Sequence, residues 1–209
     1  MNRVIVAGIG TDVGKTIVSA ILTTLYEGDY WKPVECGDAN TSDTTQIKKW
    51  IDQKKHKIYE PSYSLKAPFS PHHAARLQNS SIDLEKVIPP TTQKTLIIES
   101  AGGVFTPLTT THTNLDLLKK WEAKWIVVSK HYLGSINHTL LTLSALKEYE
   151  KSVFGIVFNG NPNPDSEQAI LTISKIPFLG RLYPEPYLDS QTIQRYAKQW
   201  RPHFPILFP

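Results

Sequence analysis

The chain is 209 residues long, with 40% hydrophobic and 20% charged residues. That length suits one α/β domain, and that composition excludes a disordered or fibrous chain. A formal charge of +4 without a basic tail or stripe points to small anions as partners rather than nucleic acid. The apolar runs are far too short to span a bilayer, so no membrane partner is expected. The single cysteine, Cys36, excludes an intrachain disulfide framework and a multi-cysteine zinc site, which makes the cytoplasm the expected compartment.

In chain order, residues 4–7 read as a first strand rather than a targeting segment, because Gly10, Thr11 and Asp12 turn the chain before a signal-length apolar run is reached. Ile17, Val18, Ile21, Leu22 and Leu25 then share one helical face. A second strand is expected over 30–34, followed by a helix built on Ile47, Trp50 and Ile51. Its charged end, 52–57, reads as a solvated terminus without functional weight. Proline-containing stretches at 61–71, 89–90, 162–164 and 184–186 read as loops. Further strands are expected over 96–98, 125–128, 153–158 and 178–182. Ile136, Leu140 and Leu143 form one later helical face, and Ile193, Tyr196, Ala197 and Trp200 another. Strands alternating with helices predict an α/β fold, a mostly parallel sheet covered by helices on both faces, in one domain spanning 1–209.

Gly8-Ile9-Gly10-Thr11-Asp12-Val13-Gly14-Lys15-Thr16 lies between the first strand and the first helix, where a phosphate-binding loop belongs. Glycines let backbone N–H groups approach phosphate oxygens, and the helix N-terminus adds a positive dipole. Lys15 supplies a cation, and the Thr16 hydroxyl can hold Mg2+. With Gly8 as the first glycine, five residues precede Gly14 where the common pattern has four, so the loop is a long variant.

Other segments must say what receives the γ-phosphoryl group. Leu96-Ile97-Ile98-Glu99 has the layout of a buried strand ending in an acid, with Gly102 and Gly103 close behind, and makes Glu99 a candidate Mg2+ ligand. Asp43 serves equally well as a helix cap or as a metal ligand. Lys32, held extended by Pro33, stands on the same sheet edge as the loop if the strands are parallel, or else simply reaches solvent. The histidines, including His72, His73 and His112, show no metal-binding spacing.

Taken together, Gly8 to Thr16, Lys32-Pro33-Val34, Asp43, Ser70-Pro71-His72, Glu99 to Gly103 with Pro107-Leu108, Leu133 to His138, and Asn159 resemble the dethiobiotin synthetases in order and spacing. Only the C-terminal stretch matches poorly. The resemblance implies a P-loop NTPase fold and an ATP-dependent ligase that carboxylates 7,8-diaminononanoate with CO2 and closes the ring to dethiobiotin, releasing ADP and phosphate. The implied route runs through a carbamate and a carbamic-phosphoric anhydride, a reaction governed by positioning and charge neutralisation.

The same resemblance implies Lys15 and Lys32 as the catalytic cations, with Thr16, Asp43 and Glu99 around Mg2+. It places Asp12, Val13, Gly14, Ile17, Ser100, Ala101 and Gly102 along the nucleotide. Asn159 would meet the base, bordered by Tyr183, Pro184 and Glu185, while Cys36, Ser70 and Pro71 would line the substrate site. Gly134, Ser135, Ile136 and Asn137 would open a helix whose amides hold the substrate carboxylate from the partner subunit of a homodimer. His138, one turn further on, reads as support for that turn.

The chain departs from the family pattern at four positions. Cys36 replaces the usual hydroxyl residue, Ser100 a glycine, Tyr132 a basic residue and Gly160 an acid. A thiol is the weaker hydrogen-bond donor, so Cys36 implies a looser substrate contact. Two rival readings compete with the synthetase: a partner-regulated ATPase or GTPase switch, and a related ATP-dependent amide-forming synthetase.

Overall fold

The computed structural model describes residues 2–204. β1 (Arg3–Gly8) leads through the glycine-rich loop into α1 (Lys15–Leu25). Next come β2 (Asp29–Trp31), β3 (Val34–Cys36), α2 (Asp43–Trp50), β4 (Ile58–Tyr59), β5 (Tyr63–Leu65) and α3 (Pro71–Leu77). The rest alternates: β6 (Leu96–Gly103), α4 (Asn114–Leu118), β7 (Lys124–Lys130), α5 (Ser135–Glu148), β8 (Val153–Asn159), α6 (Pro164–Ser174), β9 (Phe178–Leu182) and α7 (Ser190–Trp200). Seven strands form one sheet in the order β4-β2-β6-β1-β7-β8-β9, and every neighbouring pair is parallel. β3 and β5 pair, also in parallel, in a separate two-stranded sheet.

Pleating sends successive side chains of β1 to opposite faces. Val4 and Val6 pack with Val18, Ile21 and Leu22 of α1 and with Ile193, Tyr196 and Trp200 of α7. Ile5 and Ala7 belong to the other core, with Leu115 and Leu118 of α4 and Leu143 and Leu146 of α5. Helices cover both faces, which is why the strands read as unbroken apolar runs instead of alternating ones. Among the described residues no helix is long and apolar enough to cross a membrane.

Several local expectations need correction. The strand expected over 30–34 is two strands in two sheets. β2 stops at Trp31, and Pro33, whose carbonyl accepts from the amides of Ser62 (2.9 Å) and Tyr63 (3.1 Å), diverts the chain toward β5. The supposed loop 61–71 therefore contains a strand. Residues 162–164 lead into α6, whose cap Asn163 accepts from the Ser166 amide; its single buried residue, Ile170, leaves little apolar period to read. The charged segment 52–57 is not wholly solvated, since His56 is buried with Nδ1 2.8 Å from the Gly28 carbonyl. Finally, α5 buries Ser135, Thr139, Thr142, Leu143, Ala145 and Leu146, a more polar face than Ile136, Leu140 and Leu143 suggested.

Candidate active site

The long loop is held in shape by close approach. A Cβ at Gly8 would meet Val13 Cγ2 at 2.7 Å and Lys15 Cδ at 2.9 Å. Gly14 occupies the cap position of α1 at φ 97°, a left-handed conformation that disfavours any side chain, and a Cβ there would lie 2.6 Å from Asn159 Nδ2. Asn159 itself donates from Nδ2 to the Val13 carbonyl at 2.9 Å, tying the end of β8 to the loop. The Lys15 ammonium donates to the Gly10 carbonyl at 2.7 Å. Burial, and then the neighbouring positive charge of Lys32, push its pKa down to about 8. Lys15 is thus a buried cation held at a disadvantage, its ammonium group bonded to a backbone carbonyl.

Strand register explains what stands beside it. β2 and β6 pair Tyr30 with Ile97 and Trp31 with Ile98, so the next step sets Lys32 level with Glu99. Tyr30 and Ile97 both face the α1 side, and the period of two puts Lys32 and Glu99 there as well. The Lys32 ammonium donates to Glu99 Oε1 at 2.8 Å and to Asp43 Oδ2. The Thr16 hydroxyl lies 2.6 Å from Asp43 Oδ1 and 2.9 Å from Glu99 Oε1, and the Tyr30 hydroxyl donates to Glu99 Oε2 at 2.9 Å. Burial opposes the Lys32 charge, but the two carboxylates outweigh it and raise its pKa. Burial likewise opposes ionisation of Asp43, yet Lys32 and Thr16 hold that carboxyl below its usual range.

Two expectations change here. Glu99 does not end its strand, because β6 continues to Gly103 and Glu99 is fully buried within it. Asp43 is not the helix cap: Ser42 takes that position, its Oγ accepting from the Thr45 amide, which leaves the Asp43 carboxylate turned toward Lys32 and Thr16. Thr16, Asp43 and Glu99 together present the hard oxygen donors that Mg2+ prefers. Two carboxylates and one hydroxyl would suit such a cation.

A cleft of about 770 Å³ opens beside this cluster, lined among others by Asp12, Lys32, Cys36, Ser70, Pro71 and Gly102. Ser70 and Pro71 enter it as the cap and first residue of α3. Burial pushes the Cys36 thiol up to about 11, so it faces the cleft as a neutral group. Asp43 and Ala101 also border the cleft, whereas Ser100 is buried and its hydroxyl donates to the Gly102 carbonyl at 3.1 Å. Val13 is buried in the α1-side core and Ile17, partly buried, packs against it.

The structure does not gather every expected residue. Gly134 caps α5 at φ 97°, and Ser135 to Asn137 form its first turn, but none of the four lines the cleft. Tyr132 OH lies 2.8 Å from His138 Nδ1, consistent with His138 supporting that turn. Beyond β9, Glu185 accepts from Tyr196 OH at 2.6 Å and pairs with Arg195 at 2.8 Å, while Tyr183 and Pro184 are exposed next to it.

Three supporting residues escaped the sequence reading. Tyr30 could have been found from its place two residues before Lys32 on the same strand face. Glu35, buried on β3, accepts from the Thr44 amide at 2.6 Å. Asn114, also buried, donates to the carbonyls of Ala101 and Gly103 and fixes the end of β6. The partners of Glu35 and Asn114 are backbone groups nine to thirteen residues away, beyond the period of any one helix or strand.

The family model described as an AAA domain matches residues 2–192. The ATP-dependent dethiobiotin synthetase BioD of Christiangramia forsetii is 41% identical over 196 residues, covering 94% of each chain. Its counterpart from Cytophaga hutchinsonii is 42% identical over 94% of this chain and 96% of its own, and that from Chlamydia felis is 40% identical over 95% and 94%. Among solved structures, the cell division ATPase MinD of Pyrococcus furiosus superposes with a TM-score of 0.56 at 16% identity, covering 97% of this chain and 90% of its own. That likeness extends to the fold alone. On these sequence matches, the chain belongs to the ATP-dependent dethiobiotin synthetase family.

Proposed function

We propose that this chain forms dethiobiotin from 7,8-diaminononanoate, CO2 and ATP, releasing ADP and phosphate. One observation carries the reading: Lys32 links Asp43 and Glu99 next to the Lys15 loop, on the wall of a cleft that also holds Cys36, Ser70 and Pro71. A nucleotide switch has no need of a second buried lysine opening onto such a cleft. In the proposed reaction one substrate amine adds to CO2 to give a carbamate. A carbamate oxygen then attacks the γ-phosphorus and ADP leaves. The second amine, having lost a proton, attacks the carbamoyl carbon, phosphate leaves, and the ureido ring closes.

The chain's own groups supply position and charge for these steps. Lys15 exchanges the Gly10 carbonyl for phosphate oxygens, and Lys32 stands between the γ-phosphoryl group and the carbamate. Thr16, Asp43 and Glu99 would hold Mg2+, which when bound offsets negative charge on the phosphates. Asp12, Val13, Gly14, Ile17, Ser100, Ala101 and Gly102 lie along the nucleotide. Asn159 turns to the base, with Tyr183, Pro184 and Glu185 at its border.

A homodimer belongs to the same proposal. The turn from Gly134 to Asn137 lies outside this chain's cleft, so its amides serve the substrate carboxylate only across a subunit boundary. Leu133, fully exposed beside that turn, together with exposed Leu141 and Phe105, offers an apolar surface for a second copy. The single cysteine and the metabolic role support a cytoplasmic setting.

Turnover with carbon-labelled bicarbonate, diaminononanoate and each nucleoside triphosphate in turn tests the reading. The expected product carries the label in its ureido carbon, with one ADP per ring closed. ATP hydrolysis that ignores the diamine would favour the switch. Amide formation without label would favour the related synthetase.

A further inference from the structure

Glu35 has no place in the reaction as described, yet it is a buried acid next to the cluster, with only 5% of its surface exposed. β3 alternates Val34 and Cys36 toward the cleft, which leaves Glu35 on the opposite face. There its Oε1 accepts from the amide of Thr44 at 2.6 Å. Thr44 is the second residue of α2, so this amide is one of those that the helix itself cannot satisfy. Ser42 serves the next amide along, that of Thr45. The helix start therefore has one cap from its own sequence and a second from a neighbouring strand.

The position of this contact gives it meaning. Lys32 and Asp43 are joined by an ion pair across an intervening segment whose middle, from Asp38 to Thr41, is mostly exposed. The Glu35–Thr44 bond overlaps that ion-paired loop, its acceptor inside it and its donor one residue past Asp43, nine residues apart. Asp43 immediately precedes Thr44, so whatever fixes the Thr44 amide also fixes the origin of the Asp43 side chain. Without that clasp, the start of α2 would be held to Thr16 and Lys32 only through the Asp43 side chain, with its backbone fixed less firmly.

We propose that Glu35 is a positioning residue: by clasping the Thr44 amide it holds Asp43 in register with Thr16 and Glu99 for divalent-cation binding. This rests on the reading of Asp43 as a metal ligand. Nothing in the contact requires Glu35 to touch substrate or nucleotide.

The test is ADP binding by the full-length protein, measured by calorimetry with Mg2+ and with a chelator instead. Glu35→Ala is expected to weaken the Mg2+-dependent part of binding about tenfold while shifting Mg2+-free ADP affinity less than about twofold, the scale of losing one charged hydrogen bond at the helix start. Glu35→Gln, which keeps a carbonyl oxygen for the same amide, should recover most of the loss. Equal weakening with and without Mg2+, or none at all, would overturn the proposal. Asp43→Asn separates it from the reading beneath it. If Asp43→Asn abolishes the Mg2+ response and Glu35→Ala leaves it intact, the positioning role fails alone. If Asp43→Asn changes nothing, the metal reading fails and takes the proposal with it. Should Glu35→Ala not fold, hydrogen exchange in the unaltered protein decides: a Thr44 amide exchanging as fast as the exposed residues before it would also overturn the clasp.

Discussion

Replacing Lys15 by methionine removes an ammonium group that the protein without nucleotide holds at a disadvantage. Burial and then Lys32 lower its pKa from 10.5 to about 8. Between those two pH values the folded state binds fewer protons than the unfolded chain, so stability rises with pH across that window and the full penalty applies below it. A tenfold change in proton affinity corresponds to about 1.4 kcal/mol, so the whole depression amounts to about 3 kcal/mol. Of this, about 2 kcal/mol is relieved between pH 7 and 9.5. Lys15→Met has no such group, and other titrations largely cancel when the two proteins are compared. Urea unfolding at both pH values should therefore show wild-type stability, relative to Lys15→Met, improving by about 2 kcal/mol on going to the higher pH. A difference that stays flat would refute the reasoning. The same argument makes ADP binding near pH 8.5 take up protons, because a phosphate beside Lys15 restores its affinity for one. Calorimetry in buffers of different ionisation heat measures that uptake.

Lys32→Ala should lower dethiobiotin turnover ~100-fold or more and, by stranding Asp43 and the buried Glu99 without their cation, destabilise the fold by about 3 to 5 kcal/mol. Steady-state kinetics and denaturant melts check the two effects separately, and near-normal turnover would remove Lys32 from the reaction. Gly14→Ala places a side chain at φ 97° and against Asn159; a stability loss of about 1–2 kcal/mol from the left-handed backbone alone, together with weakened ADP binding, is the expected result by melting and calorimetry. Cys36, with its thiol pushed up to about 11, should alkylate slowly at neutral pH, and its iodoacetamide rate should keep climbing beyond pH 9 where an ordinary thiol levels off.

Much of this protein follows from patterns that repeat at the scale of one element. The apolar runs at 4–7, 125–128 and 153–158 specify strands because a parallel sheet covered on both faces favours apolar residues on both sides of the chain, while edge strand β9, at 178–182, also admits Arg181. The glycine-rich loop was legible because its chemistry needs closely spaced glycines, a lysine and a hydroxyl residue in one continuous stretch. Tertiary structure decided whatever depends on two distant segments meeting. The chain passes from β2 to β3 at Pro33, whose carbonyl meets the amides of residues 62 and 63. Whether Lys32 meets solvent or a carboxylate depends on the pairing of β2 with β6, and whether the Asp43 carboxylate caps its helix or turns toward Lys32 and Thr16 depends on where those residues lie in space. A local sequence window records the period of a helix or strand, but the partner of a buried charge is set by register and crossover, and these exist only once the chain has folded.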